Sequence, residues 1–400
     1  MIKYILPYEN IATGGAELLI GMIAKYIKKN SNEDVIILCK TIDNNMEKYF
    51  EQNSIEIVKV AYWTKARVNV KGYDKNSEIR IIVLMWEDLM LFSSIKQKNI
   101  KVILWMAHFQ GLRIGETCRF KIGRSIIKRI ALGSIIRLLK TSNIVCLDEM
   151  GVLCTEEYFG TRINRNSFKI IRMPIEIVDI DNEIMKKRSD MCEMNILTIA
   201  RADFPFKGYL LGLVDFVERL EKRGENFFLT IISYGSGIRV LEERISQCSN
   251  DTRNRITLLG KTDYTDLEKY YLKTKLYIGM DTTIIDAAQR GIISIPVAAD
   301  TYELICDKFY HEDAVQLRKD KAINNNIETL FNTVKNMNDD EYYSLSLKSR
   351  QMVIHNFSSN VNVGNFLKIF NGAKENRVYL DVLFFSYLYR IILTMRERKE

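Results

Sequence analysis

Two doubly wound α/β domains are what this sequence predicts, and three observations predict them. Strand-like and helix-like stretches alternate from end to end of the 400 residues. Most of the strand-like stretches are β-branched and apolar throughout, the mark of parallel strands buried on both faces. The rhythm halts at a polar segment near residue 180 and then restarts, so one α/β unit ends and another begins.

Taken in order, the first strand is "IKYILPY", followed by "ATGGAELL" at 12–19 and the helix "AELLIGMIAKYIKK". Leu18, Leu19, Met22, Ile23 and Tyr26 recur there at three-to-four spacing. The paired glycines Gly14 and Gly15 raise the question of what needs bare backbone at that turn. "DVIILCK", "IEIVKV", "IRIIVLM", "KVILWMA" and "NIVCLD" follow as strands. "EIVDIDNEIMKKRSDMCEM" mixes acids and bases and reads as the join. The second half restarts with "NILTIA", "FFLTIISY", "RITLLG", "KLYIGM" and "IISIPVA", with "YLLGLVDFVERLEKRG" and "DLEKYYLKT" as helices between them. The expected boundaries are 1–178, a linker at 179–193, 194–370, and a C-terminal helix within 371–400. That helix, Val378 to Met395, is apolar but holds Asp381 and Arg390. Charge inside it argues against a membrane span and for packing on the first domain or lying in a membrane interface.

Composition narrows the class. At 47% hydrophobic the chain is ample for two cores, and four prolines argue against long disordered tracts. Seven cysteines without CxxC spacing suggest free thiols in a reducing compartment, and the N-terminus is too quickly polar for a signal peptide, so a cytoplasmic protein is expected. The +8 charge is concentrated: Arg119, Lys121, Arg124, Lys128, Arg129, Arg137 and Lys140 occur with no acid between Thr117 and Leu147. In "FKIGRSIIKRIAL", Ile122, Ile126, Ile127 and Ile130 are expected on one helical face and the cations on the other, with the phase slipping after Gly133. A core helix with a solvated back is one reading; an anionic membrane surface met by residues 119–140 is the other. No nucleic-acid motif accompanies the charge, and no GxGxxG follows a strand, which argues against a dinucleotide oxidoreductase.

Ligands of open α/β sheets bind beyond the carboxyl ends of the strands. After "NILTIA" comes "RADFPFKG", which puts Arg201 and Lys207 on one strand-to-helix loop. After "LTIIS" comes the glycine turn of Gly235 and Gly237. After "KLYIG" a helix opens at Thr282 and Thr283, with Asp286 one turn in. Two cations and a helix N-terminus suit a diphosphate without a metal, and a carboxylate one turn on suits ribose hydroxyls. His108 stands just after "KVILWMA".

These segments resemble the retaining glycosyltransferases of the GT-B fold, in particular glycosyltransferase family 4, of the bacterial surface polysaccharide type. "TIARADFPFKGYLLGLVDFVERL", "LTIISYGSGIRVLEERI" and "RITLLGKTDYTDLEKYYLKTKLYIGM" carry the likeness, over roughly residues 1–370. The resemblance implies two Rossmann-like domains facing across a cleft, the first on the acceptor side and the second for a nucleotide-sugar donor such as a UDP-sugar, with no cofactor and no metal. It implies that Arg201 and Lys207 hold the donor diphosphate, Asp286 the ribose, Gly14 and Gly15 a loop approaching the phosphates, and His108 the sugar site. The sequence departs from the pattern where the first carboxylate of Glu-x7-Glu falls at Ile278, where Asp281 brings a negative charge near a phosphate, and where Pro296 comes three residues late. The implied activity is retaining, metal-independent transfer of a hexose to a glycan or polyprenyl-linked acceptor. The alternative is a silent homologue that binds glycans or stabilises a partner transferase.

Overall fold

A computed structural model describes residues 2–12, 15–71, 77–107, 111–114, 121–164, 167–312, 325–373 and 379–398, the side chains of 15, 71, 121, 122, 264 and 265 apart. The chain divides into two compact units. Unit 1 comprises 1–176 with 357–400, and unit 2 comprises 177–356.

Strands of unit 1 are β1 (Ile2–Pro7), β2 (Asn10–Ile11), β3 (Asp34–Cys39), β4 (Thr41–Ile42), β5 (Glu56–Lys59), β6 (Glu78–Val83), β7 (Ile100–Met106), β8 (Ile144–Cys146) and β9 (Lys169–Ile170). Seven form one parallel sheet in the order β5-β3-β1-β6-β7-β8-β9; β2 and β4 pair separately. Unit 2 holds β10 (Met194–Arg201), β11 (Phe227–Tyr234), β12 (Ile256–Leu259), β13 (Leu276–Gly279) and β14 (Ile293–Pro296). They are parallel, in the order β12-β11-β10-β13-β14. Every strand expected from the apolar runs is present, for the expected reason: β1, β3, β6, β7 and β13 are buried along most of their length. Each unit has its own core. Ile81, Val102 and Leu104 sit in one, Leu213, Phe216 and Ile231 in the other.

The units divide at other residues than the sequence suggested. The segment 179–193 contains a helix, Asn182–Ser189, that belongs to unit 2. Asp181 caps its N-terminus through Glu183 N, and Met185 and Arg188 are fully buried. The Arg188 guanidinium donates to the carbonyls of Arg290 and Tyr271. At the other boundary, the helix Ser359–Gly372 packs in unit 1, not in unit 2. Phe366 stacks on Trp105 with centroids 4.2 Å apart, and Lys101 Nζ donates to the Phe370 carbonyl at 2.9 Å.

The C-terminal helix runs Leu380–Glu397 and packs on unit 1 through Val382, Phe385 and Leu393. Asp381, read as a charge that forbids a membrane span, is turned inward: Arg137 Nη1 reaches its Oδ1 at 2.6 Å and Ser134 Oγ donates to its Oδ2. Burial opposes its charge, yet these bonds hold its carboxyl below the usual range. The basic helix Lys121–Lys140 runs unbroken through Gly133. Its core face is Ala131, Ser134, Ile135, Leu138 and Leu139, so Ile126, expected among the core-facing isoleucines, points outward. Among the described residues no helix is long and apolar enough to cross a membrane, and no cysteine forms a disulfide.

Candidate functional site

The connections of unit 2 decide where a ligand can sit. The chain leaves β10 for β11 and β12 on one side, then returns to place β13 and β14 on the other. Between β10 and β13 successive connections diverge, and the strand ends there leave the crevice that α/β proteins use for ligands. Two loops border it: 202–208 from β10 and 280–281 from β13.

Lys207 joins them. Its side chain is only 11% exposed, and its ammonium donates to Asp281 Oδ2 across the crevice. The sequence places Lys207 here but does not reveal this partner, 74 residues away. Asp281 holds φ 62°, a left-handed conformation that an L side chain rarely adopts, at the cap of the helix Thr282–Gln289. Arg201 ends β10 with its side chain 62% exposed, and its Nε lies 2.5 Å from Asp203 Oδ2. One cation is therefore buried and paired across the crevice; the other is exposed and paired with an acid on its own loop.

The glycines have a reason within the protein itself. Gly235 has φ 122°, and a Cβ there would lie 2.9 Å from Arg201 Cγ. A Cβ on Gly237 would come within 2.6 Å of Phe204 Cδ2 and 2.8 Å of the Ala202 carbonyl, which already accepts from Gly237 N at 2.8 Å. Bare backbone lets the β11 turn press on the β10 loop and fix the base of Arg201. Gly237→Ala should therefore cost about 1–3 kcal/mol of unit 2 stability by overpacking. An unchanged thermal midpoint would contradict this.

Of the helix residues, Thr282 opens the first turn. Thr283, expected as a donor contact, is half-buried and bonds inward through its hydroxyl: its Oγ1 donates to the Ile199 carbonyl at 3.0 Å and accepts from Tyr277 Oη at 2.6 Å. Asp286 is half-buried and accepts from Gln289 Nε2 at 3.0 Å. Ile278, where the family pattern would put an acid, is wholly buried in β13. The structure thus brings Arg201, Lys207, Gly235, Gly237 and Thr282 to one carboxyl edge. Gly14 and His108 lie outside the described residues, and Gly15 begins the helix Gly15–Asn30 of unit 1.

Sequence reasoning missed other candidates. Tyr234 is exposed at the end of β11, directly opposite Arg201 in the strand register. Its ring faces Lys261 Nζ at 5.9 Å. A tyrosine at the carboxyl end of the strand, where ligands of such sheets bind, was the available signal. Unit 1 has its own switch point, between β1 and β6, and a cavity of about 330 Å³ lies beyond it, lined by Tyr8, Glu9, Glu87, Asp88, Tyr389 and Arg396 among others. Asp88 is buried, accepts from Trp63 Nε1 at 3.0 Å, and has its carboxyl pushed up to about 7 by that burial. Burial likewise pushes the Tyr8 phenol to about 12.

No protein-family model and no curated protein sequence matches the chain. Solved structures do. HepE of Anabaena, in complex with UDP-glucose, is 13% identical with a TM-score of 0.61, over 92% of this chain and 99% of that one. A glycosyltransferase of Rickettsia africae is 14% identical with a TM-score of 0.63, over 92% and 97%. WaaG, a glycosyltransferase involved in lipopolysaccharide biosynthesis, is 11% identical with a TM-score of 0.58, over 92% and 100%. At such identities the likeness is one of fold, and the fold of this chain is that of GT-B glycosyltransferases.

Proposed function

We propose that this chain is a glycosyltransferase that takes a hexose from a nucleotide-diphosphate sugar, with retention of configuration and without a metal. The observation that carries the reading is Lys207, a buried ammonium held at the switch point of unit 2, six residues after the exposed guanidinium of Arg201. Two cations on one loop match the two charges of a diphosphate, and the N–H groups of the Thr282–Gln289 helix supply further donors. As the glycosidic bond breaks, negative charge grows on the leaving phosphate. Fixed cations there stabilise the transition state more than the ground state. Asp286 accepts the ribose hydroxyls, and Tyr234 offers its ring face to the base. The acceptor is a glycan or polyprenyl-linked glycan, met from the cytoplasm at an anionic membrane.

Calorimetric titration with UDP, GDP, ADP and their sugars tests the donor site. Asp286→Asn should weaken nucleotide binding about fivefold to tenfold, the difference between a charged and a neutral hydrogen bond, and leave sugar choice intact. A variant that kept its nucleotide affinity and changed its sugar preference would overturn the ribose assignment. A second reading, a silent homologue that binds without transfer, is favoured by one observation: Ile278 puts a buried aliphatic where an acid would face the sugar. Nucleoside diphosphate release in the presence of candidate acceptors separates the two.

A further inference from the structure

The helix Leu380–Glu397 buries one side against unit 1 and turns a continuous apolar stripe to solvent. Leu380, Phe384, Tyr387, Ile391 and Met395 follow at steps of four, three, four and four, one line along a helix. Leu380 is 86% exposed, Tyr387 65% and Met395 61%. Single exposed apolar residues are ordinary on a protein surface; five in register are not.

The neighbouring helix Lys121–Lys140 packs against this one, joined by the Arg137–Asp381 pair. It holds no acid. Its outward positions Ile126, Arg129, Gly133, Ile136 and Lys140 again follow helical spacing, apolar and cationic together. Lys128 lies over the Tyr158 ring at 4.5 Å and Arg137 is engaged by Asp381, so the cations offered to a partner are chiefly Arg129 and Lys140.

We propose that these two helices form a docking surface for an anionic lipid bilayer, the C-terminal helix lying in the interface with its apolar stripe among the headgroups and the basic helix facing lipid phosphate. Bulky aliphatics and aromatics with cations at their side, on a helix that is not apolar enough to span, are the features of an interfacial helix. A second copy of the chain fits worse, because a symmetric pairing would bring two acid-free cationic faces together. This inference rests on the membrane side of the reading above and not on the donor site, so UDP binding measured on the same variants distinguishes failure of the one from failure of the other.

The test is co-sedimentation of the full chain with vesicles of phosphatidylcholine alone and with about one third phosphatidylglycerol. The wild type should bind the anionic vesicles, less strongly as salt rises and the screening length falls from about 10 Å toward 3 Å. Phe384→Asp with Ile391→Asp should lower binding at least tenfold. Arg129→Gln with Lys140→Gln should lower it up to about thirtyfold, at roughly fivefold per cation. Both variants should keep the wild-type melting curve and UDP affinity. Should the aspartate pair melt early, Leu380→Asp and Met395→Asp, at the two ends of the stripe, carry the same test. Binding by the aspartate variants equal to wild type would overturn the proposal. So would wild-type binding indifferent to lipid charge, or a wild-type dimer that the aspartates dissolve without any vesicle binding.

Discussion

Lys207→Ala should lose nucleoside diphosphate binding by about tenfold to a hundredfold, and Asp281→Gly should tighten it by about tenfold. Lys207 is buried and its ammonium is already committed to Asp281, so a diphosphate must compete with that carboxylate for it. Removing the lysine removes a charge-assisted contact, worth about 1.5–3 kcal/mol, and leaves an anion facing the incoming phosphates. Removing the aspartate frees the ammonium and deletes the repulsion. Glycine also accepts the φ of 62° that aspartate holds at a cost of order 1–3 kcal/mol. That strain exists with and without ligand, so its relief goes to stability and the charge term goes to affinity. Stability gains from the relaxed backbone and loses the partner of a buried lysine, so the midpoint should move little. Arg201→Ala, at an exposed side chain, should cost less than Lys207→Ala. Titration with UDP across Lys207→Ala, Asp281→Gly and the double variant is decisive. An Asp281→Gly variant that binds more weakly would mean the aspartate positions the lysine rather than competes for it.

The reach of the sequence follows the physics of each element. Parallel strands such as β1, β3 and β13 were legible because burial on both faces leaves only apolar residues there. The segment 179–193 was not, since a polar composition hides a helix whose Arg188 is buried by hydrogen bonding to carbonyls from two other elements. The phase of the basic helix was misread for a related reason. Isoleucine is no guarantee of burial, and Ile126 lies 56% exposed where the stripe of Ala131, Ser134, Ile135 and Leu138 faces inward. At the site, strand ends located Arg201 and Lys207 correctly as neighbours on one loop. The Lys207–Asp281 contact and the Thr283–Ile199 bond join residues 74 and 84 apart, and no local pattern encodes them. The glycines at 235 and 237 were legible as a turn, but the pressure of Phe204 that requires them was not.

Asp88→Asn should raise the stability of unit 1 at pH 8 and remove part of its pH dependence below that. Asp88 is wholly desolvated, a cost that outweighs the Trp63 bond, and Glu87 and Glu9 add repulsion, so its carboxyl is pushed up to about 7 from the usual 3.8. Between those values the native state binds the proton more tightly than the unfolded chain does. The contribution to stability is therefore full below about pH 4 and drains as pH rises through 7. At about 1.4 kcal/mol per pH unit the gap bounds the loss at roughly 4 kcal/mol. Asparagine keeps an oxygen for Trp63 Nε1 and never ionises, so variant and wild type should agree near pH 4 and diverge toward pH 8, the variant above. All three tryptophans (63, 86 and 105) lie in unit 1, so tryptophan fluorescence during denaturant unfolding reports that unit alone. Equal stabilities at pH 8, or a wild type that gains on the variant as pH rises, would contradict the assignment. If the variant is the more stable protein at neutral pH, the chain carries at this switch point an acid that folding alone disfavours. Such a residue is a candidate for chemistry in the cavity it lines.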